Sequence, residues 1–348
     1  MPAAHGHELV DLSIGTPIDP VPEIAMALGA SLSLARGYPS SAGSALLREA
    51  AATWIGHRFD VEVGIEAVAA CVGSKEFVAS LPQYLKLRDP SRSTVLYPAV
   101  SYPTYAMGAT LAGCKAVAVP IAANGELDLD SLSPEVLKDA LCCWVNSPAN
   151  PTGRVSGFDR VVEMGRQYGF VVVSDECYVE FAWEAEPATV LEYGPHQVLA
   201  LHSLSKRSNF AGGRVGFYAG DLNLVSYLSE VRKHAGLMVP GPIQNIAATL
   251  LGDQKHVDVQ RALYRERLEI LIQIAAALGF EAAMPEGGFY IWVDGGERDG
   301  FELAAHFASQ SGIVGSPGEF YGDASKNFLR IAAVAPTNQL LGIAASLL

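Results

Sequence analysis

Val198-Leu-Ala-Leu-His-Ser-Leu-Ser-Lys-Arg-Ser-Asn-Phe-Ala-Gly-Gly-Arg214 is the stretch on which the fold turns. Its first five residues form a short, mostly apolar run of the length of a buried strand. The remainder sets Lys206 among hydroxyls and glycines, with Arg214 downstream. A lysine amine becomes a nucleophile only where its surroundings favour the neutral amine or an imine. Taken alone, Ser203-Leu-Ser-Lys206 reads far more simply as a solvated loop, so the neighbouring runs must overturn that reading.

Working outward, similar runs recur at Thr94-Val-Leu-Tyr97, Ala116-Val-Ala-Val119, Leu141-Cys-Cys-Trp-Val145 and Phe170-Val-Val-Val173, with helical patterns such as Phe158 to Tyr168 between several of them. Continuous apolar runs alternating with helices predict an α/β fold around a buried, mostly parallel sheet flanked by helices. Ligands of such sheets gather at the carboxyl ends of strands. The unusual residues fall there: Asn146 to Gly153 after one run, Asp175 to Tyr178 after another, and Ser203 to Lys206 after a third. Past Pro240-Gly-Pro242 the pattern changes to a long helix from Gln244 to about Leu278, with a break expected near Gly252-Asp253. Beyond it come strand-like Gly287-Gly-Phe-Tyr-Ile-Trp-Val293, a helix over 302–311 and a last strand over 327–332. These predict a smaller α+β domain built from both termini, residues 1–35 and 251–348, beside a large domain over 36–250.

The chain has 348 residues and a net charge of −13, with no cluster of Lys and Arg. That balance argues against nucleic acid or anionic membrane as the main partner and favours small molecules. No run is long and apolar enough to span a bilayer, and Met1 to His7 lacks the basic and apolar regions of a signal peptide, so a cytoplasmic protein is expected. His5 and His7 lack a third ligand nearby and read as a terminal tail, so no metal is expected. The five cysteines lack paired spacing and read as buried thiols, with no partner histidine to make Cys177 a nucleophile.

Several residues match what a pyridine cofactor such as pyridoxal 5'-phosphate (PLP) demands. Its ring nitrogen must stay protonated to draw electrons, which calls for an adjacent carboxylate. Asp175 fits, though a strand-end acid capping a turn fits as well. Tyr178 and Asn150 are candidate donors to the phenolic oxygen. Gly73-Ser-Lys-Glu76, between an apolar run and a helical stretch, fits a phosphate cradle or an ordinary helix start. Ser203, Ser205 and Arg214 supply further phosphate donors. Tyr102 either stacks on the ring or packs on the sheet. Arg330 sits in the strand-like Phe328-Leu-Arg-Ile-Ala332, where an arginine is awkward unless it grips a carboxylate.

Lys206 with Arg214, Asn150-Pro-Thr-Gly153, Asp175-x-x-Tyr178 and Arg330, in this order, resemble the class I/II PLP-dependent aminotransferases of fold type I. The resemblance runs from Ile14-Gly-Thr-Pro17 through Tyr38-Pro-Ser-Ser-Ala-Gly43 and Leu47-Arg48 to Gly287-Gly-Phe289. It implies that Lys206 holds the cofactor as an imine and then moves the proton. Asp175 would pair with the ring nitrogen, Asn150 and Tyr178 with the phenolic oxygen, and Tyr102 would stack. Ser74, Lys75 (through its backbone N–H), Ser203, Ser205 and Arg214 would hold the phosphate. Arg330 would hold the substrate α-carboxylate, with Gly15 beside it. A tyrosine matching Tyr38 reaches the neighbouring subunit's phosphate, which implies a homodimer. Two departures stand out: Val100 occupies the usual place of the stacking aromatic, so Tyr102 requires a local insertion, and Gly213 precedes Arg214 where many relatives carry a larger side chain, which would widen the pocket.

Ser203 to Gly212, the run His234-Ala-Gly-Leu-Met-Val-Pro-Gly-Pro-Ile-Gln244 and the compact length are most similar to actinobacterial N-succinyldiaminopimelate aminotransferases of lysine biosynthesis. That resemblance implies transfer between glutamate and a succinylated keto acid. Arg36, Lys75, Arg207 and Lys233 stand as carboxylate partners or as plain surface charges, and Arg207 and Gly213 as the places to look for substrate choice. The alternatives are transamination of another amino acid (aspartate or aromatic) and β-elimination by a C–S lyase. A PLP-sensing regulator is disfavoured, because no basic helix-turn-helix pattern precedes Tyr38.

Overall fold

The computed structural model describes residues 8–28, 36–122, 124–184 and 186–347. His5 and His7, with the rest of 1–7 and residues 29–35, lie outside them.

A seven-stranded sheet organises the chain, with Val68–Cys71, Gly216–Gly220, Val198–Ser203, Val171–Asp175, Ala140–Asn146, Thr94–Pro98 and Lys115–Val119 in that spatial order. Every pairing from Val198–Ser203 to Lys115–Val119 is parallel. Gly216–Gly220 runs antiparallel to both of its neighbours, so the remaining strands all point the same way. Ala140–Asn146, Val171–Asp175 and Val198–Ser203 are buried along their whole length. Unbroken Val, Leu, Cys and Ala runs make such strands, because helices cover both faces. Lys115–Val119 departs from the expected burial: it is the edge strand and mostly exposed, with Lys115 guarding the open edge.

The shared direction places the loops after Cys71, Pro98, Asn146, Asp175 and Ser203 on one edge of the sheet. The reversed strand adds Arg214, which precedes its start. A helix break falls where expected, between Gly241–Gly252 and Lys255–Ala277.

A second, antiparallel sheet orders Ser316–Pro317, Phe328–Ala332 and Tyr290–Asp294. Its core joins Leu268 and Leu271 of the long helix to Phe289, Ile291 and Leu329. The segment after Glu8 is tied in by the pair of Val10–Asp11 with Ile313–Val314. Asp19 strengthens that tie by accepting both terminal nitrogens of the buried Arg267 at 2.7 Å. Its carboxyl is held below the usual range: burial alone would raise it, and the bonds from Arg267 and Gln260 outweigh that.

Candidate functional site

The strand ends enclose a cleft of about 310 Å³. Gly15, Ser74, Lys75, Tyr102, Asn150, Asp175, Tyr178, Ser203, Ser205, Lys206, Arg214 and Arg330 all line it. Residues far apart in sequence meet there because parallel strands deliver their carboxyl-end loops to one place. Tyr38 stands apart, 96% exposed on the surface.

Asp175 closes the floor. Its Oδ2 accepts the Tyr105 hydroxyl at 2.9 Å and its Oδ1 the Cys177 amide at 3.3 Å. Burial raises its pKa, and those hydrogen bonds offset only part of the shift. No cation among the described residues pairs with it, so the floor presents a buried carboxylate in need of a positive partner.

Lys206 faces the same space. Its ammonium donates to the Gly15 carbonyl and lies 5.8 Å from the Phe289 ring centre. Burial first, and then the charges of Arg330, Arg214 and Lys75, bring its pKa down to about 8, against an opposing contribution from Cys177. The amine is thereby made available near neutral pH.

One wall is an anion cradle. Gly73, at φ 77°, begins the helix Ser74–Arg88, and no side chain caps that start. By contrast Ser44, Asp221 and Asp299 cap their own helices. The first amide groups of Ser74–Arg88 therefore remain free to bind an anion. A Cβ at Gly73 would come within 2.4 Å of Arg214 Nη2, so glycine is needed both for the backbone and for that guanidinium. Arg214 itself adopts a left-handed conformation (φ 50°), held by its Nη1 bond to the Ala211 carbonyl. Ser203 Oγ accepts the Ser205 amide at 3.2 Å.

Opposite the cradle, Arg330 donates to Asn150 Oδ1 and to the Ser13 carbonyl, each at 2.6 Å. Its guanidinium lies over the rings of Tyr290 and Tyr321, 4.3 and 4.9 Å from their centres. Its Nε is buried with no acceptor. A buried, incompletely satisfied guanidinium at a cleft wall is built to take a carboxylate.

Three site residues have no role assigned from sequence. Asn146 ends its strand, donates to the Asp175 carbonyl at 2.8 Å and accepts the Asn150 amide at 2.7 Å, so it fixes both loops. Tyr105 stacks on Trp144 at 5.1 Å and holds Asp175. Tyr290 shares a 2.8 Å hydroxyl contact with Tyr178, and a Cβ on Gly15 would fall 2.1 Å from its oxygen. Asn146 and Tyr105 stand close to Asn150 and Tyr102 in sequence, which is the signal that could have found them. Tyr290 has none of its own.

Two expectations are corrected. Arg207 does not face the cleft: it is 3% exposed, pairs with Glu180 at 2.8 Å and donates to the Leu250 carbonyl. Gly213 does not widen the cleft either, because a Cβ there would meet the Phe210 ring at 2.2 Å. Among the other expected carboxylate partners, Lys75 lines the cleft, while Lys233 is an exposed partner of Glu230 and Arg36 is exposed outside it. Gln244 is spent on structure, taking the Ser44 amide and donating to the Val239 carbonyl. Cys71, Cys142 and Cys143 are buried as expected, and Cys114 and Cys177 half-buried. Burial holds the Cys177 thiol protonated, its pKa well above the ordinary range.

The cleft fits PLP on its own geometry: an unpaired buried carboxylate for a pyridinium, an uncapped helix start with Arg214 for a phosphate, and an activated lysine between them. Among the described residues no helix is long and apolar enough to cross a membrane.

Residues 7–348 match the family model for aminotransferase class I and II. The chain is 38% identical to the 4-dedimethylamino-4-oxo-anhydrotetracycline transaminase OxyQ of Streptomyces rimosus, over 99% of this chain and 94% of that one. It is 36% identical to an LL-diaminopimelate aminotransferase of Desulforudis audaxviator, covering 97% and 89%. Its fold is similar to that of a probable N-succinyldiaminopimelate aminotransferase from Thermus thermophilus, with TM-score 0.87 and 28% identity over 98% of this chain and 95% of that one.

Proposed function

The chain belongs to the class I and II aminotransferases, which are PLP-dependent, and we propose that it transaminates N-succinyl-LL-2,6-diaminopimelate with 2-oxoglutarate. One observation carries the choice of substrate. Apart from the buried Asp175, the acidic and basic side chains that line the cleft are all basic: Lys75, Lys206, Arg214 and Arg330. A free distal ammonium, as in LL-diaminopimelate, would find no carboxylate there. A succinyl group replaces that ammonium with an amide and a carboxylate, which suits Lys75, the one of these four that neither the cofactor nor the α-carboxylate takes up.

In this reading PLP, when bound, supplies the carbonyl that takes up the amino group and the electron sink for the Cα–H bond. The chain's own residues do the rest. Asp175 would keep the ring nitrogen protonated, and Asn150 and Tyr178 would donate to the phenolic oxygen. Ser74, Ser203, Ser205 and Arg214, with the Lys75 amide, would hold the phosphate, while Tyr102 would cover the ring. Arg330 would grip the α-carboxylate beside Gly15, and Lys206 would carry the proton that leaves Cα. That leaves the exposed Lys75 ammonium for the distal carboxylate.

The same reading makes the enzyme a cytoplasmic homodimer in lysine biosynthesis, with Tyr38 reaching the partner's phosphate. Residues 36–250 form its large domain, and 1–35 with 251–348 the small one. Steady-state assays with a panel of amino donors test it. Glutamate formation from 2-oxoglutarate should be fastest with N-succinyl-LL-diaminopimelate. The 4-oxo-anhydrotetracycline substrate for which OxyQ is named makes the corresponding tetracycline amine the second donor to include. Preference for LL-diaminopimelate, aspartate or an aromatic amino acid would overturn the substrate. Release of pyruvate and ammonia from cystathionine, without transamination, would overturn the reaction.

A further inference from the structure

Tyr178 and Tyr290 meet hydroxyl to hydroxyl at 2.8 Å on the wall of the cleft, and both side chains are buried. In such a contact one phenol donates and the other accepts. The direction decides where the accepting tyrosine's own proton points.

Strand register sets the surroundings of the pair. Tyr290 stands opposite Ala332, so Arg330 is its diagonal neighbour on the same face of the second sheet, and the guanidinium lies over the Tyr290 ring. Phe289 packs against both phenols, its ring centre 5.5 Å from that of Tyr178 and 4.7 Å from that of Tyr290. Gly15 lies against the Tyr290 hydroxyl, where a Cβ would collide with it. Among the described residues that hydroxyl has a single hydrogen-bond partner, Tyr178. A cation over a phenol ring favours negative charge on the phenol oxygen, which makes the hydroxyl a stronger donor and a weaker acceptor. Tyr290 is therefore the donor of the pair, and the Tyr178 proton is left to point into the cleft.

We propose that Tyr290 is a positioning residue, whose hydroxyl donates to Tyr178 Oη and so commits the Tyr178 proton to the phenolic oxygen of bound PLP. This inference rests on the role proposed above for Tyr178 and deepens it. It does not depend on which amino acid the enzyme transaminates.

The visible absorbance of the PLP-loaded protein, followed against pH, tests it without any turnover. The absorbance changes as the nitrogen joining the cofactor to Lys206 loses its proton. A donor on the phenolic oxygen draws charge from it and makes that nitrogen a weaker base, so losing the donor raises the midpoint. Tyr178→Phe should raise the midpoint by about one pH unit. Tyr290→Phe, which keeps the ring beneath Arg330, should raise it by about half a unit. The double variant should titrate like Tyr178→Phe, because Tyr290 acts only through that hydroxyl. An unmoved midpoint in Tyr178→Phe would remove the role of Tyr178 toward the cofactor and the proposal with it. A midpoint moved by Tyr178→Phe but not by Tyr290→Phe would overturn the proposal alone, leaving Tyr290 as packing for Arg330. Additive shifts in the double variant would overturn it too, since Tyr290 would then act independently of Tyr178.

Discussion

Arg330 donates through Nη1 to Asn150 Oδ1 at 2.6 Å, and that bond fixes which way the Asn150 amide points. Arginine has donors and no acceptor, so it must meet the oxygen, and the amide nitrogen is left to donate elsewhere. The residue that grips one carboxylate thus orients a donor for the cofactor. Asn150→Asp would hand Arg330 an internal carboxylate in competition with the substrate. We expect kcat/KM to fall about 100-fold, mostly through KM, since binding of both acids is weakened. Asn150→Ala, which leaves Arg330 free, should raise KM less, and steady-state kinetics of the two variants make the comparison.

Asp175 and Tyr105 form a second pair, with the hydroxyl 2.9 Å from the buried carboxylate. Asp175→Asn removes the charge that keeps a bound pyridinium protonated, and kcat should fall by a factor on the order of 1,000. Tyr105→Phe removes one donor to that carboxylate and should shift the pH profile of kcat with a much smaller loss. Equal losses in both variants would mean that Asp175 serves the fold rather than the ring nitrogen.

The main sheet and most of the site are legible in the sequence for a physical reason. Buried parallel strands need unbroken apolar runs, and the chemistry sits immediately after them, as at Asp175 and Lys206. Gly216–Gly220 escapes notice because a Gly-Phe-Tyr-Ala-Gly run, wedged between two antiparallel neighbours, lacks the β-branched signature. Tyr290 escapes because its role depends on Tyr178 and Gly15, which only the fold brings to it. Arg207 misleads for the opposite reason. Adjacency to Lys206 in sequence implies adjacency in space, yet one step along the short helix Leu204–Arg207 turns a side chain by about 100°.

Arg207 consequently carries a prediction about stability. Its Nε lies 2.8 Å from Glu180, which also takes the Trp54 indole at 3.0 Å and pairs with Arg58 at 3.2 Å. Arg207→Met leaves Glu180 buried with one fewer cation and frees the Leu250 carbonyl. Because Arg58 remains, we expect a loss of about 2–4 kcal/mol, toward the lower part of the range for a broken buried pair. Chemical denaturation measures it, and KM for the amino donor and for 2-oxoglutarate should stay unchanged. A change in KM without loss of stability would restore Arg207 as a substrate contact.

Lys206 links the site to stability through pH. Its pKa near 8 in the folded protein lies below the value of about 10.4 for a solvated lysine. Below pH 8 both the folded and the unfolded chain hold the proton, so the cost of burying the ammonium is fully present. Between about 8 and 10.4 only the unfolded chain keeps it, and this residue makes stability rise with pH across that window. Lys206→Met should therefore stabilise the cofactor-free protein at pH 7, by about 2 kcal/mol once the lost bond to the Gly15 carbonyl is allowed for. The advantage should shrink steadily toward pH 10, where native Lys206 is largely neutral. Denaturant melts of both proteins at pH 7 and pH 10 read this directly, and a difference that does not change with pH would show that the amine is solvated.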